Sequence, residues 1–188
     1  INIENFGNDH PLVASGHYNL GMALIAIGDF PRARAQLELA LAKRKKNFEK
    51  DHPDVAEAHH GLGMILQTIG NGPEALEHYR EAVRIYEVEN KGNLRLAASY
   101  TNLGGVLHVQ GEVDQARNYY QKALVIFEAG LPADDKNIRD LRLQLQLIEH
   151  GMTMADLLNQ LEVGAELPDA ILKILDESFG DDTTKKNK

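Results

Sequence analysis

Histidine is the residue of this chain best suited to acid–base or metal chemistry: there are eight, and no cysteine at all. His59 and His60 are adjacent. On a helix they point about 100° apart and cannot share an ion as an i, i+4 pair can. His17 and His59 recur forty-two residues apart, and Tyr100 follows His59 by forty-one, which marks a packing position rather than a ligand. No H-E-x-x-H pattern, nucleophile elbow or phosphate-binding glycine loop is present, and the Gly61–Gly63 pair falls within a helix. Without cysteine there is no disulfide framework, thiolate metal site or thiol nucleophile. The expectation is a chain with no catalytic residues, no metal and no cofactor.

Charge narrows the partners. The net charge of −8 argues against nucleic acid, because phosphate neutralisation needs a basic surface. The run Lys43-Arg44-Lys45-Lys46 closes a helix, where cations complement the macrodipole, so it is expected as a solvated helix end. No apolar run approaches the ~18 residues of a bilayer span, and no signal peptide is visible. A non-membrane, cytoplasmic protein is expected. The chain opens on Ile1, and Phe6-Gly-Asn-Asp-His-Pro sits in the same frame as Phe48-Glu-Lys-Asp-His-Pro. A fragment of a longer array is therefore expected.

The elements that position these residues repeat. Within Asp51–Glu89, Ala56, Leu62, Gly63, Leu66, Gly70, Ala75, Tyr79 and Ala82 are the fixed points. Forty-two residues earlier their places fall to Ala14, Leu20, Gly21, Leu24, Gly28, Ala33, Leu37 and Ala40. Forty-one later they fall to Ala97, Leu103, Gly104, Leu107, Gly111, Ala116, Tyr120 and Ala123. A fixed period in this range marks a helical solenoid. Each copy reads as a helix, a tight turn and a second helix. His10-Pro11 and His52-Pro53 begin two first helices, and Asn93 takes the cap in the third. The stripes Val13, Leu20 and Leu24, Val55, Leu62 and Leu66, and Leu96, Leu103 and Leu107 give the apolar faces. Gly21, Gly63 and Gly104 permit close helix approach, while Gly28, Gly70 and Gly111 are left-handed stops.

A fourth first helix starts near Asp135. Ile138, Leu141, Leu145 and Ile148 form one apolar face, and Leu143 and Leu147 a second. Gly151 stops it. Thr153 with Asp156 reads as a capping box for a short helix to Val163, and Pro168 begins another through Phe179.

The Leu-Gly, Gly, Ala, Ala signature resembles tetratricopeptide repeats, and the 41–42 spacing with the D-H-P-x-V-A start resembles the kinesin light chain subtype. The resemblance implies an all-α, right-handed α-solenoid of helix–turn–helix repeats with a divergent C-terminal helical cap. The expected divisions are 1–8, the end of a preceding second helix; repeats at 9–50, 51–91 and 92–133; capping helices at 134–179; and a disordered tail at 180–188.

The same resemblance points to a concave face made by the first helices. It would be lined by Ser15, Tyr18, Asn19, Met22 and Ile25, then Glu57, His60, Met64 and Gln67, then Thr101, Asn102, Gly105 and His108. Only Glu57 in this set carries a formal charge, whereas chaperone-tail receptors of the family hold a carboxylate with Lys and Arg. Asn19 and Asn102 match the Asn-Leu position that kinesin light chain-like repeats use to hydrogen-bond a peptide backbone, and Gly61 interrupts that series. The implied function is a non-catalytic scaffold binding a neutral to basic peptide segment of a partner protein in the groove. A regulatory or sensor array within a larger signalling ATPase, or a self-assembly module associating through its repeat ends, are the alternatives.

Overall fold

The computed structural model describes residues 10–89, 93–164 and 166–179. The expected helix end at 1–8 and tail at 180–188 lie outside the described residues. Nine helices fill the described residues: α1 (Pro11–Ala26), α2 (Phe30–Asn47), α3 (Pro53–Thr68), α4 (Gly72–Glu89), α5 (Leu94–Val109), α6 (Val113–Gly130), α7 (Lys136–Glu149), α8 (Met154–Val163) and α9 (Asp169–Phe179). The first six form three helical hairpins, α1–α2, α3–α4 and α5–α6. Each hairpin's second helix packs on the next first helix, which builds an α-solenoid.

Local chemistry fixes the helix ends. His10, His52 and Asn93 each accept a hydrogen bond from the backbone N–H two residues on, satisfying an orphan donor of α1, α3 and α5. The His52 ring also stacks on Phe48 at 4.0 Å, which ties the end of α2 to the start of α3. Gly28, Gly70 and Gly111 adopt φ of 80°, 82° and 82°, a backbone conformation that L side chains disfavour, and so close the three hairpins. Thr153 and Asp156 form the full reciprocal capping box of α8.

Within each hairpin the first helix offers a glycine and the second fills the gap. A Cβ on Gly63 would stand 2.6 Å from the Tyr79 ring, and one on Gly104 would stand 2.8 Å from Tyr120. Both tyrosines are buried. Ala33, Ala40, Ala75, Ala82, Ala116 and Ala123 are fully buried, giving the narrow face that lets neighbouring helices close. Leu62 and Leu103 are buried as their stripe requires, but Leu20 is 46% exposed. Its equivalents lie in hairpins that follow another hairpin, whereas no described helix precedes α1.

The two apolar faces of α7 serve two cores. Ile138, Leu141 and Ile148, with Leu145 beside them, join the continuous core of the hairpins. Leu143 and Leu147 join a separate cluster with Met152, Leu157, Leu167 and Ile171, built with α8 and α9.

Candidate functional site

The first helices of successive hairpins touch one another, α1 against α3 and α3 against α5, so they form the inner wall. Along that wall Asn19 is exposed, and Ser15, Tyr18, Met22, Ile25, Glu57, His60, Met64, Thr101, Asn102, Gly105 and His108 are half-buried. Gln67 is exposed and accepts a hydrogen bond from the Tyr79 hydroxyl at 2.9 Å. Met22, Ile25 and Met64 rest against the core, leaving only part of each side chain toward solvent. Thr101 Oγ1 donates to the Ala97 carbonyl of its own helix.

Four of these residues converge. Tyr18, Glu57, His60 and Met64, with Tyr86, Arg95 and Ala98, line a cavity of about 160 Å³ on the inner wall. Behind it lies Arg44, only 3% exposed. Its guanidinium donates to Glu57 Oε2 and to the Asp54 carbonyl, both at 2.8 Å, and sits 4.6 Å from the Tyr18 ring centre. Arg95 approaches the other Glu57 oxygen at 3.8 Å, with 58% of its side chain exposed. Burial and the Glu57 carboxylate raise the Tyr18 pKa, so its hydroxyl is protonated at neutral pH.

The basic run is therefore not a solvated helix end throughout. Arg44 is an interior residue, and the repeat spacing accounts for it: its equivalents are Tyr86 and Phe127, both buried. A cation can occupy that aromatic slot because Glu57, the Asp54 carbonyl and the Tyr18 ring surround it. The same register brings Tyr86 and Arg95 to the cavity, and neither stands in the set expected from the sequence. Glu57 accordingly faces two guanidinium groups.

His60 bridges the second and third hairpins. Ser99 Oγ donates to the Arg95 carbonyl at 2.9 Å and lies 2.8 Å from His60 Nδ1. Asn102 Nδ2 lies 3.2 Å from His60 Nε2. The Tyr79 ring meets the imidazole edge-on at 5.7 Å between centres. Burial pushes the His60 pKa down to about 4, so the ring is neutral at pH 7. Ser99 was legible only as a helix residue, since its equivalents Gly16 and Ala58 carry no hydroxyl.

His17, His59 and His78 make contacts between the two helices of a hairpin. His17 Nδ1 meets Gln36 Oε1 at 2.7 Å, and His59 Nδ1 meets His78 Nδ1 at 3.0 Å. Tyr100 and Tyr119 hold the same two positions in the third hairpin, with ring centres 5.6 Å apart. This is the packing role expected for His17 and His59. Among the described residues no cluster of three or more His, Cys, Asp or Glu side chains is placed to hold a metal ion. No described helix is long and apolar enough to cross a membrane. A second cavity, of about 460 Å³, lies off the inner wall between α4, α5 and α6, lined by Glu87, Leu96, Tyr100, Lys122, Val125 and Ile126.

Comparison with known proteins places this geometry. The family model of the tetratricopeptide repeat matches residues 12–88 and 54–129. A search of curated proteins returns no match. Among solved structures, BtubC (BKLC) from P. vanneervenii superposes with a TM-score of 0.69 at 19% identity, over 94% of this chain and 66% of that one. A putative kinesin light chain with nearly identical TPR-like repeats from Podosopora anserina gives 0.67 at 19% identity, over 90% and 78%. A Rap protein complexed with Competence and Sporulation Factor gives 0.64 at 18% identity, over 92% of this chain and 45% of that one. The chain thus spans about two-thirds of the first of these proteins and under half of the last. The helical hairpins, the recurring glycines and alanines and the matched family model together make this chain a member of the tetratricopeptide repeat family.

Proposed function

We propose that this chain is a non-catalytic protein-interaction scaffold whose inner wall receives a peptide segment of a partner protein. The observation that carries the reading is the cavity formed by Tyr18, Glu57, His60, Met64, Tyr86, Arg95 and Ala98. It joins an aromatic wall and an adaptable methionine to a polar rim, the composition that holds peptide side chains in grooves. Asn19 and Asn102 add amides able to meet a main chain. The Rap relative supports the reading by analogy, since its structure holds it in a complex with Competence and Sporulation Factor. Of the neutral to basic segments expected from the sequence, a neutral one fits better. Glu57, the charged residue of the expected set, already faces Arg44 and Arg95 and is not free to draw a basic segment. A reducing, cytoplasmic setting suits a chain without cysteine.

The test is selection of peptides from a display library against the chain, followed by titration calorimetry. Met64→Arg places a charge in the cavity and is expected to weaken the selected peptides at least about tenfold, a loss of about 1.4 kcal/mol. Peptides that bind the variant as tightly as the parent would move the binding surface off the inner wall.

A further inference from the structure

The hydrogen bonds around His60 have a self-consistent assignment that keeps the Ser99–Arg95 bond, and it reaches into the groove. The Ser99 hydroxyl spends its proton on the Arg95 carbonyl, so toward His60 it can only accept. His60 Nδ1 must then carry the ring proton. A neutral ring protonated at Nδ1 has a lone pair at Nε2, and Asn102 must donate to it through Nδ2. With this tautomer the Asn102 amide turns its Nδ2 toward His60, because the flipped form would set its oxygen against the Nε2 lone pair. The Asn102 carbonyl oxygen accepts nothing from the described residues and is not among the sealed, unpartnered atoms of the interior. It is the end of the amide left for a ligand.

We infer that the groove at the junction of the second and third hairpins is a directional site: Asn102, oriented by His60, presents a hydrogen-bond acceptor, and the ligand must present an N–H donor there. The inference deepens the proposed peptide groove and rests on it for its biological meaning. It also distinguishes the two asparagines. Asn19 is exposed and makes no side-chain hydrogen bond among the described residues, so its amide turns freely and serves donor or acceptor alike. Asn102 does not. Between the first and second hairpins the residues equivalent to His60 and Asn102 are Tyr18 and Gly61, which carry no amide at all. One junction of the groove therefore reads main-chain polarity and the other packs. His60 and Ser99 act as positioning residues, since neither needs to touch the ligand for the selection to hold.

The test needs no identified partner. Long-range proton–nitrogen correlation spectra of the nitrogen-15-labelled chain at neutral pH report which ring nitrogen of His60 is protonated. Protonation at Nδ1 is the expected result; protonation at Nε2, or at both nitrogens, overturns the inference. Two probes then read the polarity of the site: N-methylacetamide, a peptide bond with its N–H, and N,N-dimethylacetamide, which has the carbonyl alone. The first is expected to shift the Asn102 side-chain signals at least about fivefold more than the second at equal concentration, the factor a single net hydrogen bond supplies. Ser99→Ala removes the acceptor that holds the Nδ1 proton, frees the tautomer, and is expected to bring that ratio to about one. Equal shifts from both probes in the parent, or an unchanged ratio in a Ser99→Ala chain with the parent's circular dichroism, would overturn it. If selected peptides bind elsewhere while the tautomer and probe results hold, the peptide groove fails and the directional site stands.

Discussion

The Tyr18 ring lies against the backbone of Gly61, its Cε2 atom 3.0 Å from where a Cβ on that residue would sit. The two residues belong to successive first helices and hold the positions that His60 and Asn102 hold one repeat later. Leu37 Cδ2 closes the same space at 3.2 Å. The break in the asparagine series at Gly61 is thus steric. A large ring in one hairpin excludes a side chain in the next, whereas the smaller imidazole of His60 admits one and bonds to it.

Gly61→Asn should therefore destabilise the chain, although it restores the asparagine series and removes a helix glycine. Overpacking costs about 1–3 kcal/mol, against a propensity gain of roughly 0.5 kcal/mol. Denaturant unfolding should show the loss. The double variant Tyr18→Ala, Gly61→Asn should recover part of the cost of the asparagine, a coupling that separate single-residue effects would not give. A stable single variant would mean that the Tyr18 ring swings aside freely.

Arg44 gives a second case, in which an ion pair replaces an aromatic core residue. Removing its partner with Glu57→Ala leaves a buried guanidinium with the Asp54 carbonyl as its remaining hydrogen-bond acceptor, and should cost about 3–5 kcal/mol. Arg44 Nε is already buried without a partner, so the interior does not compensate easily. Adding Arg44→Phe, the residue the third hairpin carries at this place, should return stability to the parent level or above it. Thermal melts of the parent, single and double variants decide this. A double variant no better than Glu57→Ala would mean that the slot is shaped for arginine alone.

How far the sequence reads depends on what repeats. Helix ends, turn glycines and the alanine face were legible because three copies state them alike, and each meets the same local physics. Arg44, Tyr86 and Arg95 were harder to see, because they matter where the copies differ. The repeat register does place Arg44 in the core, but a basic run at a helix end has a ready solvated explanation that competes with it. The partnership of His60 with Ser99 and Asn102 joins residues of adjacent repeats. It needs the inter-helix register, which periodicity along one chain does not supply. Leu20 shows the reverse error: its stripe neighbours Val13 and Leu24 are buried, yet it is exposed in a helix that no described helix precedes.

The histidines make stability depend on pH. Burial, reinforced by Lys45, His78 and Arg84 and opposed by Glu81, pushes His59 down to about 4. His60, enclosed by Tyr79, Ser99 and Asn102, is pushed to about the same value by burial alone. In the unfolded chain both rings titrate near the usual ~6.5. The unfolded state then binds protons that the folded state refuses, so stability falls as pH drops from about 6.5 toward about 4 and is unaffected above that window. Each ring contributes on the order of 2–3 kcal/mol to the loss. Replacing His59 and His78 together by Tyr, as at Tyr100 and Tyr119, should flatten the slope of urea stability against pH between about pH 7 and about pH 5. An identical slope in parent and variant would place the proton uptake elsewhere.

The last prediction concerns the end of the solenoid. Leu143 and Leu147 lie on the face of α7 turned from the main core, and their cover is Met152, Leu157, Leu167 and Ile171. Ending the chain after His150 would strip that cover and leave the α7 leucines in water. Four buried apolar side chains would be lost with it, each worth about 1.5–3 kcal/mol of burial before the entropy of ordering α8 and α9 is deducted. Solenoid ends left apolar are poorly soluble, so the truncated chain should melt earlier and associate as concentration rises. Light scattering across a dilution series, with circular dichroism on the same samples, reads both effects. Leu143→Glu combined with Leu147→Lys in the truncated chain should suppress the association without raising the melting midpoint to the parent's. If the truncation stays monomeric and melts with the full chain, α8 and α9 decorate the solenoid and do not cap it.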